Sequence, residues 1–427
     1  MRKNPERTAW AVLLTAFVAC CVLGVGAALW VRWFVLESTV SLVVDLSVSR
    51  NTVGVTAAGR AEETERDTRI LAERATLTTD STSQALLTFR DPYSNRVLAT
   101  FTLLQDSVIT FQSSGRPRFE ASAMPYSVEI IGARGRADVI IPLDLDRRLR
   151  FRIFGAYDTV IELEQSGRYW VTLGGDHAGV AVRQGQAVLG LRASETVAVV
   201  VPAGERGIVP GPDPEEPISL VPARRDLLVN SSFDLYDLTS EGLPALPSSW
   251  GCYNTQDVLD EPHGNAFRDV FDGRSVLRIQ RTGDNLSHAE TGCRQPLAGL
   301  DVSNASYLEV RAVFSIVAQS ISTCGILGSE CPVMLRIVYV DKNGENREWI
   351  HGFYSLYTVP DWPRTCVSCR QDHERINPGT WYTYESGNLV NTLPEEAKIH
   401  ALVEVRFYTS GHAYDVMLDE VSLLASP

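Results

Sequence analysis

One uninterrupted apolar run, residues 9–31, dominates the pattern of hydrophobic and polar positions along the chain. The run contains no charged side chain. As a helix it would rise about 35 Å, enough to cross a hydrocarbon layer of roughly 30 Å. Trp10 lies at one end and Trp30 and Trp33 lie at the other, where indole rings meet lipid headgroups. The pattern therefore predicts one transmembrane helix over residues 9–31.

The residues before this run carry more basic than acidic side chains, namely Arg2, Lys3 and Arg7 against Glu6. Basic flanks stay on the cytoplasmic side of a membrane. We therefore expect residues 1–8 to be a cytoplasmic tail and the rest of the chain to be exported, in a single-pass cell-membrane protein. The alternatives are a cleaved signal peptide, whose apolar core is normally only about 7–15 residues long, and a lipid anchor on Cys20.

Short runs of alternating apolar and polar residues follow from residue 34 to residue 209, for example over residues 41–48 and 127–131. A period of two is typical of half-buried antiparallel strands. The pattern predicts an all-β domain over residues 34–209.

Prolines mark the end of this domain, at positions 202, 210, 212, 214, 217 and 222. Proline favours extended backbone and removes hydrogen-bond donors. We therefore expect a semi-rigid linker over residues 210–226, with a long surface loop as the alternative. A second β-rich domain is predicted over residues 227–427.

The first β domain resembles FecR-type exported domains in residues 76–89, 167–189 and 201–205, which look like strand-turn-strand units and a closing turn of that family. The resemblance implies a FecR-like domain over residues 34–209. FecR-type regulators engage a sigma factor through a cytoplasmic helical segment, and eight residues are too short for a stable helix. Direct control of a sigma factor is therefore not expected.

The second β domain resembles galactose-binding-like jelly rolls, the fold of many carbohydrate-binding modules. Residues 228–234 and 246–250 look like the opening of that fold, and residues 414–424 look like its last strand. The resemblance implies a β-sandwich. In this family a calcium ion often joins the first strand to the last, and Asp234 and Asp419 stand at the matching positions. A structural calcium ion is thus implied, and two solvated acids are the alternative.

Six cysteines lie in this second domain, while Cys20 and Cys21 lie in the apolar run. An even number of cysteines in an exported segment favours disulfides. Pairing sequence neighbours predicts the disulfides Cys252–Cys293, Cys324–Cys331 and Cys366–Cys369. The weaker alternative is a zinc site formed by Cys324, Cys331, Cys366 and Cys369, with His373 as a substitute ligand.

Aromatic side chains are concentrated between residues 349 and 384. Sugar rings lie flat on such side chains while polar neighbours fix the hydroxyl groups. The candidate glycan contacts are Trp349, Tyr354, Tyr357 and Trp362. Alternation along residues 349–357 places Trp349 and Tyr354 on opposite sides of a strand, of which only one is expected to be core.

No motif of a known catalytic site stands out, and adjacent acids such as Asp419 and Glu420 should point to opposite faces of a strand. The net charge of −13 argues against a nucleic-acid partner. The resemblance to carbohydrate-binding modules, together with the aromatic side chains, implies a bacterial cell-envelope protein that binds a polysaccharide through its C-terminal jelly roll and is not an enzyme. The alternative is a structural or signalling protein that binds other envelope proteins through its FecR-like domain.

Overall fold

The computed structural model describes residues 5–174, 177–192, 194–211, 217–238, 244–283 and 286–427. Strands hold 54% of the chain and helices 10%, which confirms the predicted all-β class. Arg2 and Lys3 of the predicted tail, and Pro212 and Pro214 of the predicted linker, lie outside the described residues.

The apolar run forms one long helix, α1 (Pro5–Glu37), which begins before and ends after the predicted span. It is long and apolar enough to cross a membrane, and none of its apolar window is buried against the rest of the chain. Its last turn contacts the first β domain. The Phe34 ring lies 5.5 Å from the ring of Phe119, and the Ser122 hydroxyl donates to the carbonyl of Leu36.

The strands of the N-terminal domain are β1 (Thr39–Val40), β2 (Val43–Arg50), β3 (Val53–Thr56), β4 (Glu62–Glu65), β5 (Arg69–Ile70), β6 (Ala75–Thr78), β7 (Gln84–Arg90), β8 (Val97–Leu103), β9 (Val108–Pro117), β10 (Tyr126–Ile141), β11 (Leu149–Gly155), β12 (Thr159–Leu163), β13 (Gly167–Gly174), β14 (His177–Gln184), β15 (Gln186–Leu191), β16 (Ser194–Pro202), β17 (Glu205–Pro210) and β18 (Ser219–Pro222). The first half of β10 pairs with β9 and β11, and its second half pairs with β8 and β13. This strand therefore joins two layers. Their inner faces enclose a core in which the rings of Phe89, Phe101, Phe111 and Phe151 meet.

The strands of the C-terminal domain are β19 (Arg225–Asp226), β20 (Tyr236–Leu238), β21 (Pro244–Pro247), β22 (Gly251–Gln256), β23 (Asn265–Phe271), β24 (Arg274–Arg281), β25 (Ala289–Asp301), β26 (Tyr307–Gln319), β27 (Val333–Asp341), β28 (Asn346–Tyr354), β29 (Glu374–Arg375), β30 (Tyr382–Glu385), β31 (Ile399–Gly411) and β32 (Tyr414–Ser426). A short helix α2 (Leu389–Thr392) and a 3₁₀ turn (Glu395–Ala397) precede β31. One sheet, which we name the docked sheet, has the order β23-β24-β32-β26-β30, with β19 paired to β32. The other, the open sheet, has the order β22-β25-β31-β27-β28-β29.

The predicted linker contributes a strand to each domain in its second half. Strand β18 pairs with β17 of the N-terminal domain, and β19 pairs with β32 of the C-terminal domain. Only residues 223 and 224 separate these two strands. The described part of the linker is therefore mostly held in the two domains, which brings them together.

The docked sheet packs against the N-terminal domain through a small apolar cluster. Leu86 of β7 meets four side chains of the C-terminal domain in this cluster, which are Val276, Val313, Trp381 and Met417. All five are at least 95% buried. The two β domains thus share a buried apolar contact.

Buried charges surround this apolar cluster. The two terminal guanidinium nitrogens of Arg168, on β13, donate to the carboxylate of Asp419, on β32, at 2.7 and 2.9 Å. Arg274 donates to the same carboxylate at 3.1 Å and to the Thr100 hydroxyl at 2.5 Å. Asp419 is fully buried, and arginines from both domains compensate its charge.

A β-bulge brings the next acid into the same interface. Val313 of β26 lies opposite Glu420, whereas Phe314 lies opposite Leu418, so Asp419 is an extra residue in the strand. The bulge breaks the alternation of side chains. Glu420 consequently accepts from Arg183 of the N-terminal domain at 3.1 Å, and the expectation that the two adjacent acids face opposite sides is wrong here.

Replacing Asp419 by Asn should lower the free energy of unfolding by about 3–5 kcal/mol, because two buried guanidinium groups would lose their nearest counter-charge. Urea unfolding of the full chain in detergent, followed by tryptophan fluorescence, measures this. Asp361→Asn, at an exposed position, is the matched control and should change the free energy by less than about 0.5 kcal/mol. Equal effects of the two substitutions would contradict the interface described here.

Candidate functional site

Two of the predicted glycan contacts lie in the core. Trp349 and Tyr354, on β28, are each 3% exposed. Trp349 packs in the main core of the sandwich, whereas Tyr354 belongs to a second cluster on the other side of the same strand. Neither ring is available to an external sugar, so these two assignments are corrected. The expectation that only one side of this strand is core was also wrong.

Two disulfide-bonded loops explain why the outer side of β28 is buried. The disulfides Cys324–Cys331 and Cys366–Cys369 lie over this side and form the second cluster together with Met334, Ile350, Tyr354 and Tyr408. The third disulfide joins Cys252 to Cys293 across β22 and β25. All three are the neighbour pairs that the sequence predicted.

A buried histidine lies between the two disulfide-bonded loops. The Nδ1 atom of His373 accepts from the Gly352 backbone N–H at 2.9 Å, and its Nε2 atom donates to the Gly328 carbonyl at 2.8 Å. Its Nε2 atom is also 3.7 Å from the sulfur of Cys369. Burial lowers the pKa of His373 to about 4. The ring is therefore neutral at physiological pH and serves as a hydrogen-bonded spacer.

The alternative zinc site would have used this same cluster. A ring nitrogen of His373 lies within 4.8 Å of the sulfur atoms of each cysteine pair. Zinc is bound by thiolates, and the four sulfurs are joined in disulfides here. The oxidised cluster therefore offers zinc a single imidazole and no thiolate among these five residues.

The two acids assigned to calcium have other partners. Asp419 is bonded to arginines on both of its oxygens. Asp234 is exposed, and its carboxylate accepts from the Ser232 hydroxyl at 2.6 Å. The arginines supply the positive charge that calcium would have supplied, so the burial of Asp419 is accounted for without a metal ion.

The other two predicted aromatic contacts, Tyr357 and Trp362, are half-buried. The guanidinium groups of Arg364 and Arg375 lie 5.2 and 5.4 Å from the centre of the Tyr357 ring. Cation–π contacts of this kind occupy a ring face. Tyr357 packs against the cluster formed by the two disulfide-bonded loops.

The outward face of the open sheet carries a group of polar side chains that the sequence reasoning missed. We name this surface the open face. Three cross-strand partners on β25, β31 and β27 point into the core, namely Cys293, Phe407 and Leu335. The residues next to them along each strand therefore point outward. The open face consists of Tyr253, Glu290, Arg294, Arg336, Glu348, Glu404 and Arg406.

The side chains of the open face hold one another in fixed positions. The Tyr253 hydroxyl donates to Glu290 at 2.5 Å, and the Arg406 guanidinium lies 5.9 Å from the centre of the Tyr253 ring. Arg406 also pairs with Glu404, and Arg294 lies 3.5 Å from the same carboxylate. Burial and the charge of Glu290 raise the pKa of Tyr253, so its hydroxyl stays protonated.

The sequence contained one usable signal for this face. From Glu404 to Phe407, charged and apolar residues alternate strictly, which identifies a strand with one wet side. The pattern does not show which neighbouring strands would add further charged groups to that side.

No protein-family profile and no curated protein matches the chain. Partial likenesses to solved structures include a protein named as an anti-sigma factor from Parabacteroides distasonis, with 14% identity over 34% of this chain and a TM-score of 0.25. A family 11 carbohydrate-binding module of a cellulosomal cellulase from Clostridium thermocellum shares 12% identity over 42% of this chain and 88% of its own, with a TM-score of 0.24. An exo-β-agarase shares 12% identity over 43% of this chain and 24% of its own, with a TM-score of 0.22. The chain spans 59% of the anti-sigma factor. The function proposed below therefore rests on this chain's own residues.

The buried His373 should make stability depend on pH. Because its folded pKa is about 4, below the unfolded value of 6.5, its contribution is complete above pH 6.5 and is lost as the pH falls towards 4. The loss amounts to roughly 3 kcal/mol. Between pH 6.5 and pH 4, the free energy of unfolding should fall by roughly 3 kcal/mol more in the wild type than in His373→Gln. Urea titration at several pH values measures this difference.

The exposed residue His400 provides the control. The variant His400→Gln should keep the full slope of the wild type. A His373→Gln profile parallel to that of the wild type would show that His373 titrates normally.

Proposed function

We propose that the chain is a membrane-anchored binding protein whose open face binds a glycan at the cell surface or outside the cell. The observation that carries this proposal is the position of the open face. The docked sheet is covered by the N-terminal domain through Leu86 and the buried ion pairs, whereas the opposite sheet keeps its charged side chains at the surface. The open sheet is thus the side of the sandwich that a polar ligand can reach.

The chemistry of the open face suits sugar hydroxyls. Guanidinium groups donate hydrogen bonds and carboxylates accept them, so both sides of a hydroxyl group find partners. Tyr253 adds a half-buried ring for the apolar face of a sugar. Because ion pairs already fix Arg406 and Glu404, less conformational entropy is lost when a ligand binds.

The helix and the disulfides support the proposed location. An uncleaved α1 would hold the β domains at the membrane. Three disulfides are stable in an oxidising compartment outside the cytoplasm. Both features favour an exported position for residues 38–427.

A protein partner is the second candidate, and one observation favours it. Ile326 and Leu327 are each 71% exposed, and Val367 is fully exposed. These side chains lie within the loops closed by the disulfides Cys324–Cys331 and Cys366–Cys369, which hold them rigidly in solvent. Exposed apolar residues on a rigid support are typical of a protein-docking surface.

The full chain in detergent should bind at least one polysaccharide on a glycan array. Arg406→Ala should weaken that binding about tenfold or more, because a guanidinium that donates to ligand hydroxyls contributes about 1.5–3 kcal/mol. Arg60→Ala, an exposed position in the N-terminal domain, is the control and should bind as the wild type does. A folded chain that retains no glycan would contradict the proposal, and recovery of protein partners by crosslinking would then favour the second candidate.

The proposed location predicts the outcome of a protease experiment on spheroplasts. Protease added outside should cleave the β domains without lysis, because they lie beyond the membrane. An immunoblot against the C-terminal domain measures the loss of full-length chain. A chain that becomes sensitive only after lysis would contradict export.

A further inference from the structure

A cavity of about 280 Å³ opens between the two domains, next to the buried ion pairs. One wall is formed by β10, β13, β14 and β17 of the N-terminal domain, which present Trp170 and Thr172. The other wall is formed by Tyr307 and Glu309 of β26 and by Arg224, which lies between β18 and β19. We name this cavity the interdomain cleft. It is separate from the open face, which lies on the other sheet of the sandwich.

Two arginines, Arg206 and Arg224, line the cleft. Arg206, on β17, donates to the Nε2 atom of His177, and among the described residues no carboxylate lies within ion-pair distance of it. Burial and the charge of Arg224 both lower the pKa of Arg206. A half-buried cation beside a second cation is unfavourable by itself, and an anion bound between the two would remove that cost.

Arg224 is held at the cleft by the second domain. Its guanidinium lies 3.6 Å from the centre of the Tyr307 ring, and one of its nitrogens is 3.9 Å from the carboxylate of Glu309. This ion pair is long, so the guanidinium keeps donors for a further partner. The contact with the Tyr307 ring holds the Arg224 guanidinium at the wall of the cleft.

The cleft also contains hydrogen-bond acceptors. Glu309 is 5% exposed, and its carboxylate accepts from the Tyr307 hydroxyl at 2.8 Å. Glu385 lines the same cavity, where it is already paired with Arg136 at 2.5 Å and with Arg311 at 2.7 Å. Glu309 therefore remains as the acceptor for ligand hydroxyl groups, and a molecule with both an anionic group and neutral hydroxyl groups would match Arg206, Arg224 and Glu309.

We propose that the interdomain cleft binds a sugar acid of hexuronate type, with its carboxylate between Arg206 and Arg224 and its hydroxyl groups donating to Glu309. The cavity lies at the low end of the roughly 300–1,000 Å³ typical of ligand pockets, which suits one ring rather than an oligosaccharide. Leu104, Ala137 and Leu424 supply apolar surface for the ring. Because residues of both domains are required, the site exists only while the domains are docked.

Isothermal titration calorimetry of the full chain in detergent tests the proposal with D-glucuronate and D-galacturonate, and with D-glucose and inorganic sulfate as comparison ligands. At least one hexuronate should bind, and glucose and sulfate should each bind at least about tenfold more weakly, because each lacks one of the two matching groups. Arg206→Gln should weaken hexuronate binding at least about tenfold. Arg224→Gln, at a more exposed position, should have the same effect if the first variant folds poorly.

Arg294→Gln, on the open face, is the matched control and should leave hexuronate binding unchanged. Conversely, Arg206→Gln should leave the glycan-array signal of the open face intact, so failure of one site is distinguishable from failure of the other. Binding of neither hexuronate would overturn the inference. Equal affinity for sulfate, or wild-type affinity in both Arg206→Gln and Arg224→Gln, would overturn it as well.

Discussion

The structure depends on one buried charge, the carboxylate of Asp419. A buried carboxylate is costly unless cations surround it, and here Arg168 of the N-terminal domain and Arg274 of the C-terminal domain both donate to it. The carboxylate is therefore compensated fully only when the domains are in contact. Burial of the apolar side chains around Leu86 stabilises the contact but is non-directional. The ion pairs fix the relative position of the two sheets.

This contact determines which surfaces remain available for function. With the docked sheet covered, the open face points away from the N-terminal domain, and the disulfide-bonded loops lie at its edge. The same contact creates the interdomain cleft, since Arg206 and Glu309 belong to different domains. Interface, open face and cleft are thus consequences of one packing arrangement.

Local features of the chain were predictable from the sequence, and contacts between distant residues were not. The apolar helix and the period-two strands depend on residues close in sequence, and the three disulfides follow the order of the cysteines along the chain. Asp419 is different, because its partner Arg168 lies 251 positions away, and an isolated acid in a strand resembles a solvated one. Trp349 and Tyr354 were assigned to a ligand because alternation cannot reveal that the disulfide-bonded loops cover the second side of their strand.

Hydrogen–deuterium exchange of two backbone amides tests the docking of the domains most directly. The amide of Asn377 donates to the Ser49 carbonyl at 2.9 Å, and that of Thr383 donates to the Gln84 side chain at 2.8 Å. Both acceptors belong to the N-terminal domain. Docked domains should make these amides exchange as slowly as those of the sandwich core, measured at residue resolution by mass spectrometry on the full chain. Exchange of Asn377 at the rate of an exposed loop would contradict docking.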